Sequence, residues 1–247
     1  MARAAVLGRL TWQSAAVVRV VEETPRTRTI VLDAPEWRGH EAGQHLDVRL
    51  TAEDGYQAQR SYSIASAPGD PVAITVERLD DGEVSPYLTD ELRPGDELEV
   101  RGPIGGYFVW SGDDSAPLLL VAGGSGIVPL MAMLRHRRNT GSDAPARLLY
   151  SSRTLADVIY RSELETLADG VEVVHTLTRK QPPGWTGRRG RVDAALLAEV
   201  AWPVDREPIA FVCGPTGFVE SVASGLVELG YPPARVKTER FGATGGR

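Results

Sequence analysis

The chain has 247 residues, of which 42% are apolar, a formal net charge of −6 and one cysteine, Cys213. That length holds one large domain or two of about 100–130 residues. The acidic balance argues against a general nucleic-acid binder, and a single thiol excludes an internal disulfide and any iron–sulfur cluster held by four thiolates.

The first 110 residues read as β-structure. Short apolar or alternating runs fall at 15–21, 29–32, 45–50, 60–64, 72–76 and 97–101, with Gly and Pro-Gly turns between them. Six such strands predict a small antiparallel barrel, with one short helix around 85–91. A polar stretch, Ser111–Ala116, marks a domain boundary, so the expected division is 1–112 and 113–247. Beyond it, strands at 118–122, 148–151, 171–177 and 209–213 alternate with helices at 127–137, 157–167, 193–200 and 218–229, and a last strand lies at 235–241. Strand–helix alternation predicts a Rossmann-like parallel sheet covered on both faces.

No apolar run approaches the roughly 20 residues that cross a bilayer. Arg9, Gln13 and Arg19 interrupt every apolar stretch of the first 21 residues, so no signal peptide is expected. The expectation is a cytoplasmic protein, monomeric by default, bound to neither membrane nor nucleic acid. Charge divides unevenly. Residues 1–112 hold 11 Lys+Arg against 18 Asp+Glu, and residues 113–247 hold 16 against 15. Several positives of the second half cluster at Arg179, Lys180, Arg188, Arg189 and Arg191, either a solvated loop or a phosphate site.

Three segments carry candidate chemistry. In the strand at 60–64, Arg60 and Tyr62 share one face, with Ser61 and Ser63 on the other. That set offers a phosphate cation, an aromatic surface and hydroxyls, and equally suits an ordinary strand with a snorkelling arginine. The turn Gly123-Gly124-Ser125-Gly126 follows a buried strand and precedes a helix with Pro129 in its first turn. Glycines there allow a pyrophosphate to approach the backbone and the helix amides, although the full dinucleotide fingerprint is absent. Cys213-Gly214-Pro215-Thr216 ends a strand, where open α/β sheets bind ligands. The histidines 40, 45, 136 and 175 show no metal-ligand spacing, and no metal site is expected.

Together these segments resemble the ferredoxin–NADP reductase family. Arg60 to Ser66 is similar to its flavin-binding strand. Val76-Glu77-Arg78 and Gly82-Glu83-Val84-Ser85 resemble its second flavin segment. Arg101 to Phe108 resembles the end of its barrel, and the Cys213 turn its nicotinamide-side turn. The resemblance implies FAD rather than FMN, with Arg60 on the pyrophosphate, Tyr62 stacked on the ring and Ser63 near flavin N5. Ser61, Val76, Arg78, Gly82, Val84 and Ser85 complete the flavin segments, Ser85 opening a short helix. It further implies a nucleotide site from Gly123, Gly124, Ser125, Gly126, Ser152, Arg153, Thr178, Arg179, Arg188, Cys213, Gly214, Pro215 and Thr216, with NADPH preferred to NADH. Glu239 and Phe241 resemble the family's C-terminal segment. Ser63, Cys213 and Glu239 are then the candidate catalytic residues. The implied activity is hydride transfer from NADPH to bound FAD, then single electrons to a separate acceptor such as a ferredoxin, an oxygenase component or another redox protein. A reductase of free flavin, or an electron-transfer subunit of a larger complex, remains an alternative.

Overall fold

The structure, a computed structural model, describes residues 10–113, 115–167 and 170–241. The first nine residues of the expected leaderless start, Asp114 of the expected boundary and the six residues after Phe241 lie outside them.

Six strands form the first half: β1 (Gln13–Thr24), β2 (Thr27–Asp33), β3 (His45–Thr51), β4 (Gln57–Ser63), β5 (Ala73–Glu77) and β6 (Glu97–Ile104). They pair antiparallel in the order β4-β3-β6-β1-β2-β5. The two edges then meet. Ile64 bridges Ile74, and the Ala65 amide donates to the Ala73 carbonyl at 2.7 Å, closing the sheet into the expected barrel. Alternation explains its filling: Ala15 and Val17 of β1, Ile30 and Leu32 of β2 and Leu46 and Val48 of β3 all point into one apolar cluster, as period-2 strands require. Between β5 and β6 a single helical turn, π-type over Tyr87–Glu91, seals one end with Leu88.

The second half is a parallel sheet ordered β10-β9-β8-β7-β11-β12. Its strands are β7 (Leu118–Gly123), β8 (Ala146–Ser152), β9 (Val171–Leu177), β10 (Arg188–Arg189), β11 (Ile209–Pro215) and β12 (Val236–Phe241). Every residue of β7 is buried, because helices cover a parallel sheet on both faces. These are α1 (Ile127–Thr140), α2 (Arg161–Glu165), α3 (Ala194–Val200) and α4 (Thr216–Glu228). Asp193 caps α3 by accepting from the Leu196 amide at 2.9 Å. Gly141, in the left-handed region at φ +65°, ends α1, as a helix C-terminus favours. Strand order reverses between β7 and β11, which places a crevice at their C-terminal ends.

Two elements differ from expectation. The helix over 157–167 shrinks to α2, preceded by a one-turn 3-10 segment, Leu155–Asp157. Tyr160 breaks it: φ is +58°, its ring is buried, and its hydroxyl bonds Thr75 of the barrel. A cross-domain contact thus overrides local helical preference. Arg188 and Arg189, read as loop, form a short edge strand against Thr176 and Leu177.

The two halves share packed surface. Ala42, Ala65, Ala73, Phe108 and Trp110 of the first half sit in one apolar cluster with Leu118, Leu120 and Phe211 of the second. Phe108 and Phe211 meet edge to face at 5.3 Å. Arg135 of α1 donates to the Ala65 carbonyl at 2.6 Å, and Lys237 of β12 to the Val109 carbonyl at 3.2 Å. Among the described residues no helix is long and apolar enough to cross a membrane.

Candidate active site

The barrel wall of the crevice is β4. Its register sets Ser63 opposite His45, Tyr62 opposite Leu46, Ser61 opposite Asp47 and Arg60 opposite Val48. Leu46 and Val48 are core residues, so Arg60 and Tyr62 start from the same face of the sheet, with Tyr62 half-buried and Arg60 exposed. Tyr62 packs against the barrel cluster, and burial pushes its phenol well up. The structure does not bring Ser61 to the same place. Its hydroxyl donates to buried Asp47 at 2.6 Å, where Arg101 (2.6 Å) and Gln59 (3.0 Å) also converge.

The second flavin segment folds as a tight loop beside Arg60. The Ser85 hydroxyl accepts from the Leu79 amide at 3.1 Å. It therefore closes the preceding turn, and Tyr87–Glu91 carries no side-chain cap. A Cβ on Gly82 would sit 2.8 Å from that hydroxyl and 3.2 Å from the Leu79 carbonyl oxygen, so the loop is built around a glycine. Val76 and Val84 are wholly buried, main chain included, in the barrel core. Arg78 is held by Asp90 at 2.8 Å and by Asp80.

The opposite wall is the strand reversal. Gly124 adopts φ +56°. A Cβ on Gly126 would lie 2.1 Å from the Cys213 carbonyl oxygen, and one on Gly123 2.9 Å from the Phe218 ring. The turn with half-buried Ser125 thus rests directly on the end of β11, which continues through Gly214 and Pro215 into Thr216 of α4. Gly123 and Gly126 thus serve close packing, while a Cβ at Gly124 would meet nothing within 4 Å, which leaves the backbone there open to a dinucleotide pyrophosphate.

Where the two walls meet, three titratable side chains line up. Cys213 and Glu239 are neighbours across the β11–β12 ladder, and the buried Cys213 thiol donates to Glu239 Oε2 at 3.9 Å. Glu239 Oε1 lies 3.9 Å from Nδ1 of His45, which belongs to the barrel. Burial pushes the Glu239 carboxyl up to about 7, against a weaker pull from the Cys213 thiol. Burial and then Glu239 raise the thiol well above its usual range. Burial lowers His45, with Asp47 opposing. At neutral pH Glu239 therefore sits near its own midpoint, where a carboxyl can both hold and release a proton. The sequence shows no metal-ligand spacing at His45 and no signal for this contact; its place opposite Ser63 appears only in the β3–β4 register. Phe241, at the end of β12, is partly exposed.

At the far end of the sheet, β8 and β9 bring two expected pairs together. The Thr178 amide donates to the Ser152 carbonyl and the Arg179 amide to the Arg153 carbonyl, both at 2.9 Å. Arg188 instead turns to Glu199 of α3. Among the described residues no carboxylate pairs with Arg153, Arg179 or Arg189.

Comparison with known proteins agrees with this architecture. Residues 15–109 match the oxidoreductase FAD-binding domain and residues 120–224 the oxidoreductase NAD-binding domain. The chain is 40% identical to ferredoxin–NADP reductase B of Sorangium cellulosum over 213 residues, covering 81% of this chain and 85% of that protein. The chain belongs to the ferredoxin–NADP reductase family. It is also 34% identical to the glycine betaine monooxygenase reductase subunit of Chromohalobacter salexigens, over 92% of this chain and 63% of that protein. The ferredoxin reductase component of 3-ketosteroid-9-alpha-monooxygenase from Rhodococcus rhodochrous is 35% identical over 93% of this chain, which spans 65% of it. The chain is thus shorter than those two relatives by about a third. Among solved structures, a ferredoxin NADP+ reductase from Neisseria gonorrhoeae shares the fold at TM-score 0.80 and 21% identity, over 93% of this chain and 98% of that one.

Proposed function

We propose that this chain is a flavin-dependent NADPH reductase, with FAD held by residues 1–112 and the nicotinamide nucleotide by residues 113–247. The observation that carries the reading is the crevice itself: the end of β4, His45, Glu239 and Cys213 converge where the parallel sheet reverses its strand order. Bound FAD would supply hydride acceptance and one-electron release. The protein's own share is positioning and proton control. Tyr62 offers a ring face at the barrel edge, and the Gly123–Gly126 turn lets a pyrophosphate reach backbone amides. Ser63 ends β4 at the crevice, Glu239 holds an exchangeable proton there, and Cys213 fills the floor beneath it.

NADPH over NADH is supported by Arg153 and Arg179, whose backbones pair beyond β8 and β9 and whose side chains have no carboxylate partner among the described residues. Guanidinium forks suit the adenosine 2′-phosphate. FAD over FMN follows from the match to the FAD-binding domain. The acceptor is a ferredoxin or an oxygenase component. One cysteine cannot hold a cluster, so the next carrier lies outside these 247 residues, and two relatives are named as reductase parts of monooxygenases. The test is anaerobic addition of NADPH to the purified, flavin-loaded protein. Loss of the visible flavin absorbance is expected, and a band that NADPH leaves unbleached refutes the reading.

A further inference from the structure

Arg60 is not free. Its Nη2 donates to Glu83 Oε2 at 2.6 Å, and its Nη1 to the Gln59 carbonyl at 2.7 Å. The other carboxylate oxygen, Oε1, accepts from the Tyr56 hydroxyl at 2.8 Å. Tyr56 comes from the turn between β3 and β4, and Glu83 from the loop before the Tyr87–Glu91 turn. Three separate segments therefore close over the cation assigned to the flavin phosphates.

The chemistry of the trio is that of an anion site already filled. The Glu83 carboxylate accepts from one guanidinium nitrogen and from a phenol, as phosphate oxygens would. The Tyr56 hydroxyl and Arg60 hold the Glu83 carboxyl below its usual range, so it stays ionised at neutral pH. The backbone beneath it is fixed: the Gly82 amide donates to the Leu79 carbonyl at 3.1 Å, and the Leu79 amide to Ser85. The Glu83 side chain is about half exposed (48%), so it can swing outward while the loop stays in place.

We infer that Glu83 is an internal competitor for Arg60, a carboxylate latch that a flavin phosphate must displace, and that it sets how tightly this chain retains flavin nucleotides. The inference rests on the flavin reading above and deepens it. It names a residue that separates a tenaciously held cofactor from an exchangeable one, the distinction on which the free-flavin alternative turns. An exposed pair of this kind competes modestly, and its neutralisation also removes a like-charge repulsion against phosphate. Together these predict a gain of about three- to tenfold in affinity.

The experiment compares the full wild-type chain, stripped of flavin, with Glu83→Gln and Tyr56→Phe. FAD and riboflavin are titrated separately at low and high ionic strength, and binding is read by flavin fluorescence. Glu83→Gln is expected to bind FAD about three- to tenfold tighter at low salt, with a smaller gain at high salt as screening weakens the latch. Riboflavin, which has no phosphate, is expected to bind both proteins equally. Tyr56→Phe, which frees one carboxylate oxygen, shifts FAD affinity by less. If Glu83→Gln binds FAD no better than wild type, or riboflavin gains as much as FAD, the latch is overturned while the flavin reading stands. If the wild-type chain binds neither flavin, the flavin reading falls and the latch with it.

Discussion

Glu239→Gln isolates the proton held at the crevice. Burial raises the Glu239 carboxyl from the ordinary 4.5 to about 7. The folded protein then binds more protons than the unfolded chain between those two values, so the contribution of Glu239 to stability is fully present below pH 4.5 and is lost as pH rises through 7. A shift of that size corresponds to about 3 kcal/mol. The side chain retains a quarter of its exposure (25%), so water screens part of it and about 1–3 kcal/mol is the working range. Glutamine keeps the shape and carries no charge at any pH. Urea unfolding of wild type and Glu239→Gln at pH 5 and pH 8 should therefore show the variant gaining on wild type by about 1–3 kcal/mol between the two. Neighbouring groups bend the wild-type curve differently. His45, lowered by burial, contributes stability above its unfolded pKa that is lost as pH falls through the folded one. That slope opposes Glu239 and is present in both proteins, although the variant loses the 3.9 Å approach of the Glu239 carboxylate to His45 Nδ1. The Cys213 thiol, raised well above 9, loses its contribution only in alkali. A wild-type–variant difference that does not move between pH 5 and pH 8 refutes the assignment of a displaced carboxyl.

Two further outcomes follow from the crevice and the nucleotide end. Gly126→Ala drives a Cβ to 2.1 Å from the Cys213 carbonyl oxygen, a backbone atom that cannot swing aside. It should lower stability by about 1–3 kcal/mol and weaken NADP+ binding, both measured on the purified variant by urea melts and calorimetry. Arg179→Ala and Arg153→Ala should each raise the KM for NADPH about tenfold without changing that for NADH. Arg188→Ala, whose guanidinium already serves Glu199, should change either by about twofold at most. Equal losses for the two cofactors would place the phosphate site elsewhere.

Local periodicity made most of the fold legible. Alternation named the barrel strands, and the short unbroken apolar run Leu118–Ala122 before a glycine turn read as a strand covered on both faces. Pattern failed where a distant residue decided the local conformation. Tyr160 abandons the helical region because its ring and hydroxyl are claimed by the barrel, and nothing within the stretch 157–167 announces that. The site divides in the same way. The common face of Arg60 and Tyr62 follows from strand geometry alone. The capture of Ser61 by Asp47 depends on β3 lying alongside, and the approach of His45 to Glu239 depends on both halves of the chain docking. A histidine without ligand spacing gives no sign of such a partner.

Charge shows the same limit more sharply, and it bears on function. By count, the first half is acidic and the second nearly neutral, yet both carry arginines in their motifs. What distinguishes those arginines is whether a carboxylate stands beside them. In the barrel, the surplus of acids leaves Arg60 on Glu83, Arg78 on Asp80 and Asp90, and Arg101 on Asp47. In the nucleotide half Arg188 stands on Glu199, while among the described residues Arg153 and Arg179 stand with no carboxylate. A dinucleotide bound as proposed would meet those cations at one end of the crevice, where their charge would favour its arrival. A flavin phosphate placed on Arg60 as proposed would meet a cation already paired with Glu83. The two ligands would thus be governed by different steps: the nicotinamide nucleotide by encounter, and the flavin by exchange of one anion for another.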